Sequence, residues 1–162
     1  MLKIADDGWL RGSLDLTRED PEATDCMLQY LYKDDYCAPE PHTTTITKDW
    51  RDFDTVCVIS SPLLHVKVYK LAKKYHLDSM RILALKKLRT SSQELWQTGS
   101  FLEAAWAVYR DGNNLDKDLC DVIIGVFVVR KERLLRKGRA RDLLMEAPLL
   151  GLHLLKFPTP WS

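Results

Sequence analysis

Along most of this 162-residue chain apolar side chains return every three or four positions, the spacing of helices with one face turned inward. The first exception is Ser13-Leu14-Asp15-Leu16-Thr17, where polar and apolar residues alternate as in a short half-buried strand. A helix start follows at Glu19-Asp20-Pro21-Glu22: Asp20 caps free amides, Pro21 fits the first turn, and the acids suit the positive end of the helix dipole. Ala23, Met27, Tyr30 and Leu31 then define one face of a helix ending near Tyr32. Residues 33 to 60 carry acids, prolines and a threonine run, which predict an exposed loop leading to an extended segment at Val56-Cys57-Val58-Ile59.

Beyond that loop the pattern is helical. Ser61-Pro62 is a cap and first-turn proline, followed by Leu64, Val68, Leu71, Ala72 and Tyr75 on one face. A second helix begins at Asp78, with Met80, Ile82, Leu83, Leu85 and Leu88 broad enough in coverage to be largely buried. Ser100-Phe101-Leu102-Glu103 reads as a capping box opening a third. Val122 to Val129 has strand composition, yet Leu119, Val122, Ile123, Val126 and Phe127 fit helical offsets, and length and flanking charges favour helix. A last helix carries Leu143, Ala147, Leu150 and Leu154, with Pro148 kinking or dividing it. The expected fold is mainly α and bundle-like, with one or two short strands.

Composition narrows the classes without choosing a function. There are 24 Lys and Arg against 23 Asp and Glu, and 46% of residues are hydrophobic, as in a globular domain rather than a disordered or collagen-like chain. The longest apolar run has eight residues, Val122 to Val129, where a membrane-crossing helix takes about 20. Asp6 and Asp7 stand where a signal peptide needs apolar residues, so an intracellular protein without membrane partners is expected. The near-neutral total hides a division: residues 1 to 60 hold 6 basic and 13 acidic residues, net −7, and residues 61 to 162 hold 18 and 10, net +8.

Two blocks resemble a known family. Asp20-Pro21-Glu22-Ala23 followed by Met27-Leu28-Gln29-Tyr30-Leu31-Tyr32-Lys33-Asp34-Asp35-Tyr36 looks like the middle of a fungal-type BTB/POZ domain, where D-D-P-x-A leads into M-L-x-Y-L-Y-T-G-D-Y. Leu63-Leu64-His65-Val66-Lys67-Val68-Tyr69-Lys70-Leu71-Ala72-Lys73-Lys74-Tyr75 is similar to that family's L-L-H-x-x-V-Y-x-L-A-x-K-Y helix, and Leu83-Ala84-Leu85-Lys86-Lys87-Leu88 to its continuation. The resemblance marks Pro21, Tyr30, Leu31, Tyr32, His65, Tyr69, Leu71, Ala72 and Tyr75 as motif residues of structural character. It implies a partial BTB/POZ-like domain over 1–90 and a helical extension over 91–162. The family's opening strand pair and first helix, roughly 50 residues at ordinary element lengths, find no counterpart before Leu14. By resemblance the expected function is protein interaction without catalysis, adaptor-like, through self-association or a protein partner, with a cullin-type ubiquitin-ligase scaffold among the partners family members use. The absent elements would leave apolar faces uncovered on the helices at 21–32 and 61–90.

The candidate chemistries are few. His65 lies near a helix start with Tyr69 one turn on, but no Ser, Cys and acid stand at nucleophile spacing. Asp34-Asp35 and the pair Asp52 and Asp54 lack the glycine of a calcium loop. Cys26 and Cys120 read as small core residues, and a zinc site would have to join Cys37, His42 and Cys57 without a close ligand pair. No cofactor or metal is expected. Arg130, Lys131, Arg133, Arg136, Lys137, Arg139 and Arg141 form a basic run that reads either as a solvated helix end or as a phosphate-binding patch. The second option makes a nucleic-acid-associated helical protein the alternative function, although no aromatic is interleaved for base stacking. Among five tryptophans, Trp106 is expected in packing, and Trp9, Trp50 and Trp161 in loops or ends where an indole could anchor a partner.

Overall fold

The computed structural model describes residues 9–10, 13–14, 16–37, 60–110, 112 and 115–156. Among them a two-residue pairing, Trp9–Leu10 (β1) antiparallel to Ser13–Leu14 (β2), precedes seven helices. Of the strand read at 13–17, Ser13 and Leu14 are paired, Asp15 lies outside the described residues, and Thr17 lies in a turn. The extended segment expected at Val56–Ile59 lies outside the described residues.

Helix α1 (Pro21–Lys33) starts where the acids and proline direct it. Asp20 is extended and its carboxylate accepts the Ala23 N–H at 3.1 Å, with Pro21 in the first turn. Lys67 lies 2.8 Å from the same carboxylate. Desolvation opposes ionisation of Asp20, but the Lys67 contact and the amide hydrogen bond outweigh it and hold the acid below its usual range. The helix ends at Asp34, whose left-handed backbone (φ 55°) lets its N–H donate to the Tyr30 carbonyl. Ala23, Cys26 and Met27 are buried. Leu31, expected on the same face, is 51% exposed because it falls at the edge of that stripe, where no described element covers it.

Helix α2 (Pro62–Lys74) is the centre of the molecule, packed against α1, α3 (Asp78–Glu94) and α4 (Gly99–Tyr109). Its residues Leu64, His65, Val66, Val68, Tyr69, Leu71 and Ala72 are all buried, and no large apolar side chain is left exposed on it. The uncovered face expected on this helix is therefore absent. On α3 the buried stripe is narrower than expected: Met80, Ala84 and Leu88 face inward, Leu83 and Leu85 are half-buried, and Ile82 is 66% exposed. Four-residue spacing keeps only one row of side chains over α2 and leaves the row beside it to solvent.

The capping box at Ser100 does not form. Helix α4 begins at Gly99 with Thr98 preceding it, so Ser100 already lies inside the first turn, and its hydroxyl pairs instead with that of Ser61 across to α2. Helix α5 (Lys117–Leu135) settles the ambiguous run: Leu119, Val122, Ile123, Val126 and Phe127 are buried on one face, as the helical reading requires. Phe127 packs on Phe101 of α4 with ring centroids 5.6 Å apart. Gly125 is exposed, and a Cβ there would meet nothing within 4 Å. Glycine costs this helix up to about 1 kcal/mol against alanine, with no packing reason among the described residues. Pro148 divides the last helical region into α6 (Gly138–Glu146) and α7 (Pro148–Lys156), whose Leu143, Leu150 and Leu154 are buried. One apolar cluster runs from α1 to α7, and α3 passes continuously through residue 90.

Replacing Asp20 by Ala removes the cap of α1 and the nearer of the two carboxylates paired with Lys67. Urea denaturation is expected to show stability lower by about 1 kcal/mol, the usual worth of an N-cap, with an unchanged dependence on denaturant.

Candidate interaction site

The left-handed turn at Asp34 sends the chain back beneath α1, and Tyr36, expected in an exposed loop, is buried as a result. Its hydroxyl lies 2.9 Å from Nδ1 of His65 on α2, with the rings 5.7 Å apart. Lys87 of α3 closes the arrangement: its ammonium sits 4.4 Å from the centroid of the Tyr36 ring, donates to the Tyr36 carbonyl, and pairs with Asp35 at 2.6 Å. Burial, with Lys87 nearby, pushes the His65 pKa down to about 4. Burial also raises the Tyr36 phenol, helped by the neighbouring Cys26 and Asp35. Both rings are therefore neutral at pH 7, and one hydrogen bond joins the phenol oxygen to the imidazole Nδ1. Cys26 completes the pocket, its thiol 3.8 Å from the Cys37 carbonyl and pushed up to about 11 by burial.

This knot fixes which side of α1 faces outward. Leu28, Leu31 and Tyr32 stand together there, with Tyr32 88% exposed, at offsets that put them side by side on one helix surface. Of the other motif residues, Pro21 is exposed in the first turn, Tyr30 is half-buried against the core, and His65, Tyr69, Leu71, Ala72 and Tyr75 are buried. Their hydroxyls have defined partners. Tyr69 donates to Asp116 at 2.9 Å and lies 3.2 Å from Asp118, joining α2 to the start of α5, while Tyr75 donates to Glu19 at 3.1 Å ahead of α1. Asp116 also pairs with Lys73 at 2.6 Å and caps α5 through the Asp118 N–H. Sequence reading did not single out Tyr36, Lys87 or Asp116; only their spacing in three dimensions joins them to His65 and Tyr69.

The basic run forms a separate surface at the end of α5 and the start of α6. Arg130, Arg133, Arg136, Arg139 and Arg141 are exposed, Lys131 and Lys137 half-buried, and none is ion-paired with a described carboxylate. Arg130 and Lys137 both approach the buried Trp96 ring, at 5.3 and 5.8 Å. Trp106, expected in packing, is instead 39% exposed beneath the Arg110 guanidinium. It lies one position beyond the buried Ala104–Ala105 pair and so turns outward. His42, Cys57, Asp52, Asp54, Trp50 and Trp161 lie outside the described residues, as does any zinc site built on Cys37, His42 and Cys57. Among the described residues no three metal-ligating side chains converge, and no helix is long and apolar enough to cross a membrane.

No family model, curated protein or solved structure matches the chain.

The depressed His65 pKa has a thermodynamic sign. Its folded value, about 4, lies below the unfolded value near 6.5, so the unfolded chain takes up the proton first and stability declines as pH falls from about 6.5 to 4. The full loss attributable to His65 is about 3 kcal/mol. In His65→Gln, which keeps an acceptor for Tyr36 but cannot titrate, denaturant unfolding between pH 7 and pH 4.5 is expected to lose most of that dependence.

Proposed function

We propose that the chain is a protein-interaction module of the BTB/POZ type that acts without catalysis, adaptor-like, and engages a protein partner through the outer face of α1. The observation that carries this reading is the exposed cluster of Leu28, Leu31 and Tyr32 on a helix held rigidly from behind by the Tyr36, His65 and Lys87 contacts. Large apolar residues grouped on a fixed helix are the usual anchors of a protein interface. The two blocks that resemble the family are supported as one unit by the same bond, because Tyr36 closes the first block and His65 opens the second. A catalytic histidine would need access to substrate, and His65 is 2% exposed with its Nδ1 occupied.

The test is site-specific photocrosslinking in cells from position 32, with position 82 on α3 as an exposed apolar control. A discrete adduct from 32, lost when Leu28 and Leu31 are both changed to Asp and absent from 82, is expected. No adduct from 32, or equal labelling from both, overturns the proposal. The family's cullin scaffold is the first partner to probe directly: titration with a purified cullin N-terminal domain is expected to show binding that Tyr32→Ala weakens at least tenfold, the scale of a hot-spot residue.

A second reading rests on the unpaired cations at 130–141, which would suit nucleic-acid phosphates. It predicts a DNA or RNA affinity falling steeply with salt, with the log–log slope reduced by about 3 when Arg133, Arg136 and Arg139 are neutralised. A flat salt response excludes it.

A further inference from the structure

The turn that folds back beneath α1 brings two cysteines together, 11 positions apart in the chain. Cys26 lies on the inner side of the helix, and Cys37 follows the buried Tyr36 at an exposed position. Both backbone polar groups of Cys37 are held by α1. Its N–H donates to the side-chain oxygen of Gln29 at 3.1 Å, and Gln29 is steadied in turn by a 2.8 Å hydrogen bond to Asp25. Its carbonyl oxygen accepts from the Cys26 thiol at 3.8 Å. That oxygen is two bonds from the Cα that carries the Cys37 side chain, so rotation about side-chain bonds brings the sulfurs toward each other while the backbone is already fixed.

The two thiols differ in access. Cys37 is free and exposed, open to a dissolved oxidant, whereas Cys26 is 0% exposed and has Cys37 as its neighbour. An accessible thiol beside a sheltered one is the arrangement of an attacking and a resolving cysteine.

We propose that Cys26 and Cys37 form a reversible disulfide when the chain meets a small disulfide such as oxidised glutathione, and that this bond fastens the Tyr36 turn to α1. The Cys37 thiolate attacks one sulfur of oxidised glutathione and expels a glutathione thiolate, leaving a mixed disulfide on Cys37. Cys26 then loses its proton to solvent and attacks the Cys37 sulfur. The protein S–S bond forms, the mixed bond breaks and a second glutathione thiolate leaves, so two protein thiols are oxidised and one glutathione disulfide is reduced. The second step is the slow one, because burial holds the Cys26 pKa at about 11 and keeps its thiolate scarce. Excess reduced glutathione reverses both steps. The site is separate from Leu28, Leu31 and Tyr32, and its chemistry does not depend on what that outer face binds.

The whole chain is equilibrated near neutral pH with mixtures of reduced and oxidised glutathione, quenched with acid and mapped without reduction. Lys33 lies between Cys26 and Cys37, and Arg51 between Cys37 and Cys57, so tryptic digestion separates these cysteines and each linkage gives its own pair of peptides. The Cys26–Cys37 pair is expected as the main product. The effective concentration of one thiol toward the other is expected to be at least tenfold higher in buffer than in urea, since the folded backbone holds the pair together. Cys37→Ser, at an exposed position, is expected to leave Cys26 unmodified, and Cys26→Ala to stop at the mixed disulfide on Cys37. The oxidised chain is expected to melt about 5 °C or more above the reduced one. Wild-type protein that stops at the mixed disulfide, or that links Cys37 to Cys57, overturns the proposal. So does an effective concentration no higher in buffer than in urea, or a melting temperature that oxidation leaves unchanged or lowers.

Discussion

The hydrogen bond between the Tyr36 phenol and the His65 imidazole is the constraint on which the arrangement of the first three helices depends. It is buried, so neither partner recovers its loss by turning to water, and leaving one unsatisfied would cost about 1–3 kcal/mol. It requires α1 to end where Asp34 ends it, the chain to fold back beneath the helix, and α2 to present His65 at its first turn. Lys87 on α3 then has one place to go, between the Asp35 carboxylate and the Tyr36 ring. The outward direction of Leu28, Leu31 and Tyr32 is a consequence of this inner geometry rather than a separate device.

Electrostatics follows the same plan. Four acids around α1 are paired with cations of α2 and α3: Lys67 serves Asp20 and Glu22, Lys74 serves Glu19, and Lys87 serves Asp35. Such partly exposed pairs contribute little individually, about 0–1 kcal/mol, but they set cations of α2 and α3 against acids at both ends of α1. At the far end of α5 and on α6, by contrast, the arginines have no described carboxylate partner.

Residue spacing was informative wherever one face of a helix decides the outcome. The run at 122–129 could be assigned to a helix because Leu119, Val122, Ile123, Val126 and Phe127 share one stripe, and Pro148 marked a true break because it cannot continue a hydrogen-bonded turn. Asp20 was readable for the same local reason. Spacing failed at the edges of stripes and at contacts between distant segments. Leu31 and Ile82 satisfy the same periodicity as their buried neighbours, and only the absence of a covering element distinguishes them. Ser100 satisfies a capping pattern, yet its hydroxyl is taken by Ser61 from another helix. Tyr36 sits among loop-forming residues, and its burial depends on a histidine 29 positions away.

The distance along the chain between Tyr36 and His65 has a consequence for how the molecule comes apart. Bringing two points 29 residues apart into contact costs chain entropy on the order of 3 kcal/mol, whereas α2, α3 and α4 follow one another through short connections and meet with little such loss. The attachment of α1 offsets that cost through the buried Ala23, Cys26 and Met27 and through the contacts of Tyr36, Lys67, Lys74 and Lys87. Detachment of α1 with its tyrosine would leave α2, α3 and α4 joined by their own short connections and release the neutral imidazole of His65 to water.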